Sequence, residues 1–181
     1  HMNHTDQRAI RIAVVSADDN SARFPVAGAF LRSQAEALSR IGNAVSLITS
    51  PAGAANSFSD LLKYASLARR TLRHTLRESA DIALIHYALW PNSLPALAAL
   101  APPRVPYAII AHGSDVRALE SSRRIRALAT PLLRRALFTI AVSDQLAGLL
   151  TSLVPNIDVA VVPVGVNTRL FSPTSAPFAQ H

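Results

Sequence analysis

The 181-residue sequence has no cysteine, which excludes a disulfide framework, a thiolate nucleophile and a thiolate metal site. Lysine is nearly absent as well: Lys63 is the only one, so the formal net charge of +7 rests on arginine. Glycine is scarce, with six residues, and none of them falls into G-x-G-x-x-G or G-K-[ST]. The dinucleotide fingerprint and the Walker phosphate loop are therefore excluded. No G-x-S-x-G elbow is present, and the six histidines show no H-E-x-x-H spacing, which removes the common signatures of a hydrolase triad and a zinc site. Arg, Pro or polar residues interrupt every apolar run before it reaches the length of a bilayer span. The segment Asn3 to Gln7 has neither the charged head nor the apolar stretch of a signal peptide. Residues 1–7 are expected to be a tag remnant and a disordered leader, and the lack of cysteine suits a cytoplasmic protein.

Half of the residues are apolar, enough for one domain with a sizeable core. Short Val- and Ile-rich runs recur at Ile10–Ser16, Ala44–Thr49, Ile82–Tyr87, Tyr107–His112, Leu137–Ser143 and Asp158–Val164, the pattern of strands buried on both faces. Segments of helical spacing lie between them. Leu31, Ala35, Leu38 and Ile41 recur at three and four residues, and Gly42 stops that helix. Further helices are expected over 58–79, 91–100, 121–135 and 144–150, the last capped by Ser143. Alternation of this kind specifies an α/β fold, a doubly wound Rossmann-like domain with a mostly parallel sheet and helices on both faces. Ligands bind such sheets beyond the carboxyl ends of the strands, so the residues just after each run are the places to look.

After the first strand, Ala27 and Gly28 open a helix, whose free N–H groups can hold a phosphate without a consensus motif; Gly28 can equally serve close packing of helix on sheet. After the third, His86, Tyr87 and Trp90 can stack on a sugar or bond its hydroxyls, or pack in the core. After the fourth comes AHGSDVR (Ala111–Arg117), where His112, Ser114, Asp115 and Arg117 crowd onto a turn and Gly113 permits close backbone approach. Arg69, Arg73 and Arg77 share one face of a helix. That face is either solvated or a contact for a peripheral anionic membrane surface. The basic charge favours acidic partners in general, but the chain lacks an aromatic platform or a duplex-reading motif, so no specific nucleic acid partner is expected.

In order and spacing, FPVAGAFLRSQAEALSRIGNAVSLIT, ADIALIHY, AHGSD, LLRRALFTIAVSDQL and VVPVGVNTRLFSP resemble the N-terminal half of GT-B-fold glycosyltransferases of the large retaining group called family 4. The resemblance implies an N-terminal, acceptor-side domain over 8–166. Residues 167–181 would start the linker to a donor-binding C-terminal domain that is absent here. It implies transfer of a sugar with retention from a nucleotide-sugar donor to a sugar or lipid-linked acceptor, with no metal or other cofactor. Gly28 then lies in the loop that approaches the donor diphosphate, His112 faces the transferred sugar beside Gly113, and Tyr87 falls near an acceptor-contacting aromatic. Ala27-Gly28 replaces the two glycines of many relatives, and Val164 and Asn167 replace the usual Asn and Asp of the linker. The isolated domain is expected to be inactive. The alternative is a non-catalytic α/β module that binds a phosphorylated sugar or an anionic glycolipid at the HGSD end.

Overall fold

The computed structural model describes residues 8–16, 29–49, 65–74, 80–86 and 105–165. Ala27, Gly28, Arg77, Tyr87, Trp90 and the expected helix over 91–100 lie outside the described residues, as do 1–7 and 166–181. In chain order the elements are β1 (Arg11–Ser16), α1 (Ala29–Arg40), β2 (Ala44–Thr49), a helical stretch over 65–74 (α2), β3 (Ile82–His86), β4 (Tyr107–Ala111), α3 (Ser114–Ser121), α4 (Arg123–Arg135), β5 (Thr139–Ala141), α5 (Asp144–Leu153) and β6 (Val159–Val161).

All strands pair in parallel, in the order β2-β1-β3-β4-β5-β6. The sheet grows from β1 toward β2 on one side and from β1 through β3 toward β6 on the other. Strand order reverses between β1 and β3, the kind of crevice where such sheets take ligands.

The pleat sends alternate residues to opposite faces, and each face has its own core. Ile12, Val14, Leu84, Ala108 and Ile110 pack with Leu31 of α1. Ala13, Val15, Ile85 and Ile109 face the other layer, where Leu67 of α2, Leu119 of α3, Leu133 of α4 and Leu150 of α5 close the core. At the amino end of the sheet, Asp81 clasps β1. Its Oδ2 accepts from the Arg11 backbone N–H at 2.9 Å and from Nε at 3.2 Å, and its Oδ1 accepts from the Arg11 guanidinium at 2.9 Å. The pair holds the Asp81 carboxyl down at about 2.

Several expectations are corrected. AHGSDVR is not only a turn, because Ser114 begins the eight-residue helix α3. The expected helix over 121–135 starts at Arg123, with Ser122 as its N-cap accepting from the Ile125 N–H. Ile41, placed on the apolar face of α1, lies beyond that helix and is 75% exposed, because the chain turns through Gly42 at φ +92°. The strands at Leu137–Ser143 and Asp158–Val164 contract to Thr139–Ala141 and Val159–Val161. The last is an exposed edge and not a strand buried on both faces.

Candidate functional site

The carboxyl ends of β3 and β4 bring two histidines together. His86, the last residue of β3, is 1% exposed, and His112 follows β4 half-buried. His86 Nδ1 lies 3.0 Å from His112 Nε2, and His86 Nε2 lies 2.7 Å from Gln34 Oε1 on α1. The two imidazoles are 5.2 Å apart between centroids with 24° between their planes. That separation exceeds the nitrogen contact by about one ring width, so the rings meet edge to edge through a hydrogen bond and not face to face. Phe30 of α1 closes the group, its ring 5.7 Å from His86 and 5.3 Å from His112.

Burial pushes His86 down to about 3, helped by the neighbouring His112. Burial also lowers His112, opposed by the Asp115 carboxylate. Both rings are neutral near pH 7, because an imidazolium would lose its hydration without gaining a full counter-charge.

The loop after β4 is held by Asp115. Asp115 Oδ1 accepts from the backbone N–H groups of His112 at 3.1 Å, Gly113 at 2.8 Å and Val116 at 3.0 Å. Burial raises its pKa, and the bonds from Gly113 and Val116 oppose that rise. Asp115 was named with the substrate-binding groups; both of its oxygens face the backbone of its own loop. Gly113 caps α3 at φ +118° and ψ −49°, a conformation closed to L side chains. A Cβ there would meet no atom within 4 Å, so backbone conformation and not space selects glycine.

His112 stands in the wall of two clefts. One, of about 400 Å³, is lined by Phe30 and Gln34 of α1, His86, His112 and the chain after β6 at Val162 and Gly165. The other, of about 640 Å³, is lined by Gly113, Ser114 and Arg117 of the α3 end and by Ser143 and Gln145 at the start of α5. Two helix starts border the second cleft, together with the Arg117 guanidinium and the Glu120 carboxylate. Ser143 caps α5 as expected, its Oγ accepting from the Leu146 N–H at 3.2 Å.

The structure thus joins His112, Gly113, Ser114 and Arg117 on one rim. Gln34 and Phe30 were not anticipated, since one polar and one aromatic residue on an amphipathic helix carry no signal of their own. His86 was noticed beside Tyr87 and Trp90, but its partners lie 26 and 52 residues away. Among the described residues, no three His, Asp or Glu groups are placed to hold a metal ion, and no helix is long and apolar enough to cross a membrane.

Known proteins share this architecture. Sucrose-phosphate synthase from Thermosynechococcus elongatus superposes with a TM-score of 0.65 at 15% identity, over 92% of this chain and 51% of its own. Anabaena HepE, solved in complex with UDP and glucose, superposes with a TM-score of 0.55 at 14% identity, over 92% of this chain and 48% of its own. The chain therefore spans about half the length of these two proteins. No curated protein matches it. The sequence profile of the glycosyl transferase 4-like domain matches residues 5–165, a span that contains the whole sheet and the lining of both clefts, and the chain belongs to that family.

Proposed function

We propose that this chain is the acceptor-side half of a retaining hexosyltransferase, which moves a sugar from a nucleotide-sugar to a sugar or lipid-linked acceptor without a metal cofactor. The observation that carries the proposal is the position of His112. It lies at the carboxyl end of β4, in the wall of both clefts and beside the Gly113 opening of α3. Retaining transfer passes through an oxocarbenium-like state as a diphosphate departs, so the site must orient an acceptor hydroxyl and steady a leaving anion. The second cleft, bordered by Gly113, Ser114 and Arg117, suits a hydroxyl-rich or anionic ligand. The UDP and glucose in the HepE complex support the same class of donor. In this proposal a second Rossmann-like domain grips the donor's nucleotide, and Gly28 and Tyr87 have the donor- and acceptor-contacting roles that the family resemblance implies.

The test is His112→Ala in the full-length enzyme. Turnover should fall by roughly tenfold to a thousandfold, the range for loss of one positioned polar group, while nucleotide affinity by calorimetry changes much less. Unchanged turnover would assign His112 to structure alone, whereas a full-length protein with no transfer at all would make a binding module the better account.

Arginine-rich helices support a peripheral contact with an anionic cytoplasmic membrane face. Arg69 and Arg73 are exposed on α2. The segment Arg123–Arg135 carries Arg123, Arg124, Arg126, Arg134 and Arg135 with no acid, and Leu128 is 62% exposed among them. Each basic residue near such a surface contributes about 1 kcal/mol, screened by salt. The chain should cosediment with anionic vesicles and not with neutral ones; equal sedimentation with both would leave a solvated face.

A further inference from the structure

We propose that Gln34 and His86 are positioning residues that set the tautomer of His112, so that its Nδ1 is an unprotonated hydrogen-bond acceptor. The argument follows protons along two short contacts. A carboxamide oxygen only accepts, so the 2.7 Å contact to Gln34 Oε1 requires the proton of His86 on Nε2. His86 is buried, with Phe30 beside its ring, and is neutral, so it has one N–H and its Nδ1 carries a lone pair. The 3.0 Å contact from that Nδ1 to His112 Nε2 then requires His112 to donate. A neutral His112 that donates from Nε2 has a bare Nδ1.

The surroundings hold this arrangement. Gln34 and Phe30 sit one turn apart on α1, so the helix that supplies the acceptor also supplies the ring packed on both imidazoles. Among the described residues, the titratable groups facing the pair are the two rings themselves and Asp115 of α3. Asp115 favours the charged form of His112, against the burial of the site. The inference deepens the transferase reading and rests on it for its consequence. A His112 whose Nδ1 is unprotonated can accept but not donate at that atom, so in the proposed transfer the atom suits a hydroxyl and not a phosphate oxygen.

The experiment reads the tautomer directly. The 181-residue chain, labelled with ¹⁵N-histidine, is studied near neutral pH by two-bond ¹H–¹⁵N correlation, with His112 assigned by loss of its signals in His112→Ala. The expected result is an Nε2–H tautomer for both His86 and His112. In Gln34→Glu the acceptor is kept and a negative charge is added beside His86 Nε2. As pH falls, His86 should then become an imidazolium, its Nδ1–H must donate, and His112 should switch to the Nδ1–H tautomer. In Gln34→Leu the acceptor is removed without charge, and the His112 signals should move toward the average of the two tautomers. An Nδ1–H tautomer at His112 in the wild type, or a wild-type pattern at His112 in both variants, overturns the proposal. Failure of the functional reading looks different: the Nε2–H tautomer would be present at His112, and His112→Ala would leave turnover of the full-length enzyme unchanged.

Discussion

Two neutral histidines at the ends of β3 and β4 tie the stability of this domain to pH. Unfolded, each ring titrates near 6.5; folded, His86 resists protonation down to about 3 and His112 is lowered as well. Below pH 6.5 the unfolded chain therefore binds protons that the folded one refuses. Stability conferred by the neutral pair is complete above 6.5 and is lost as pH falls toward 3. Asp115 acts in the opposite sense, since its raised pKa lets acid favour the fold just above the ordinary carboxylate range. Urea denaturation at pH 7 and pH 5 should show a lower midpoint at pH 5. His86→Gln, which keeps a polar group at the site but cannot titrate, should show a smaller drop between the two conditions. An equal drop in the variant would place the acid sensitivity elsewhere.

Two of this chain's helix starts lie on one cleft. α3 and α5 both begin on the second cleft, one capped by Gly113 and the other by Ser143. The Ser143 hydroxyl satisfies an N–H that the first turn of α5 would otherwise leave unpaired. Ser143→Ala should cost about 1 kcal/mol of unfolding free energy, read from chemical denaturation. The reason α3 escaped the sequence pattern is also local. Its buried positions Asp115, Val116 and Leu119 give one apolar step of three residues, too short a run to show a helical period. Ser122 then separates it from α4, so two helices read as one late start. α4 presents the converse case, since Pro131 lies inside it without ending it; packing of Ala129 and Leu133 against the core overrides the local preference.

At the scale of the molecule, two apolar layers clamp a parallel sheet, and both clefts that His112 lines lie at the carboxyl end of its strands. Sugar transfer in the proposed scheme needs a second wall to hold the nucleotide. The 181-residue chain should therefore show no transfer when incubated with a panel of nucleotide-sugars and acceptors, even when circular dichroism shows it folded. Clear transferase activity from these residues alone would mean that the chain carries a whole active site and not half of one.

What was legible in the sequence was whatever depends on neighbours along the chain. The Val- and Ile-rich runs announced six strands, the three-and-four spacing announced α1, and Ser143 and Gly42 announced their helix ends, because pleat, helical period and caps are set within a few residues. His112 and Gly113 were legible as candidates for the same reason, being crowded onto one strand end. Strand order, the edge position of β6, and the meeting of Gln34, Phe30, His86 and His112 were decided only in three dimensions. Those contacts join α1 to the ends of two strands that become neighbours through parallel pairing. Parallel pairing brings together residues tens of positions apart, and the protonation of a histidine at such a junction follows from what it faces there, not from what precedes or follows it in the chain.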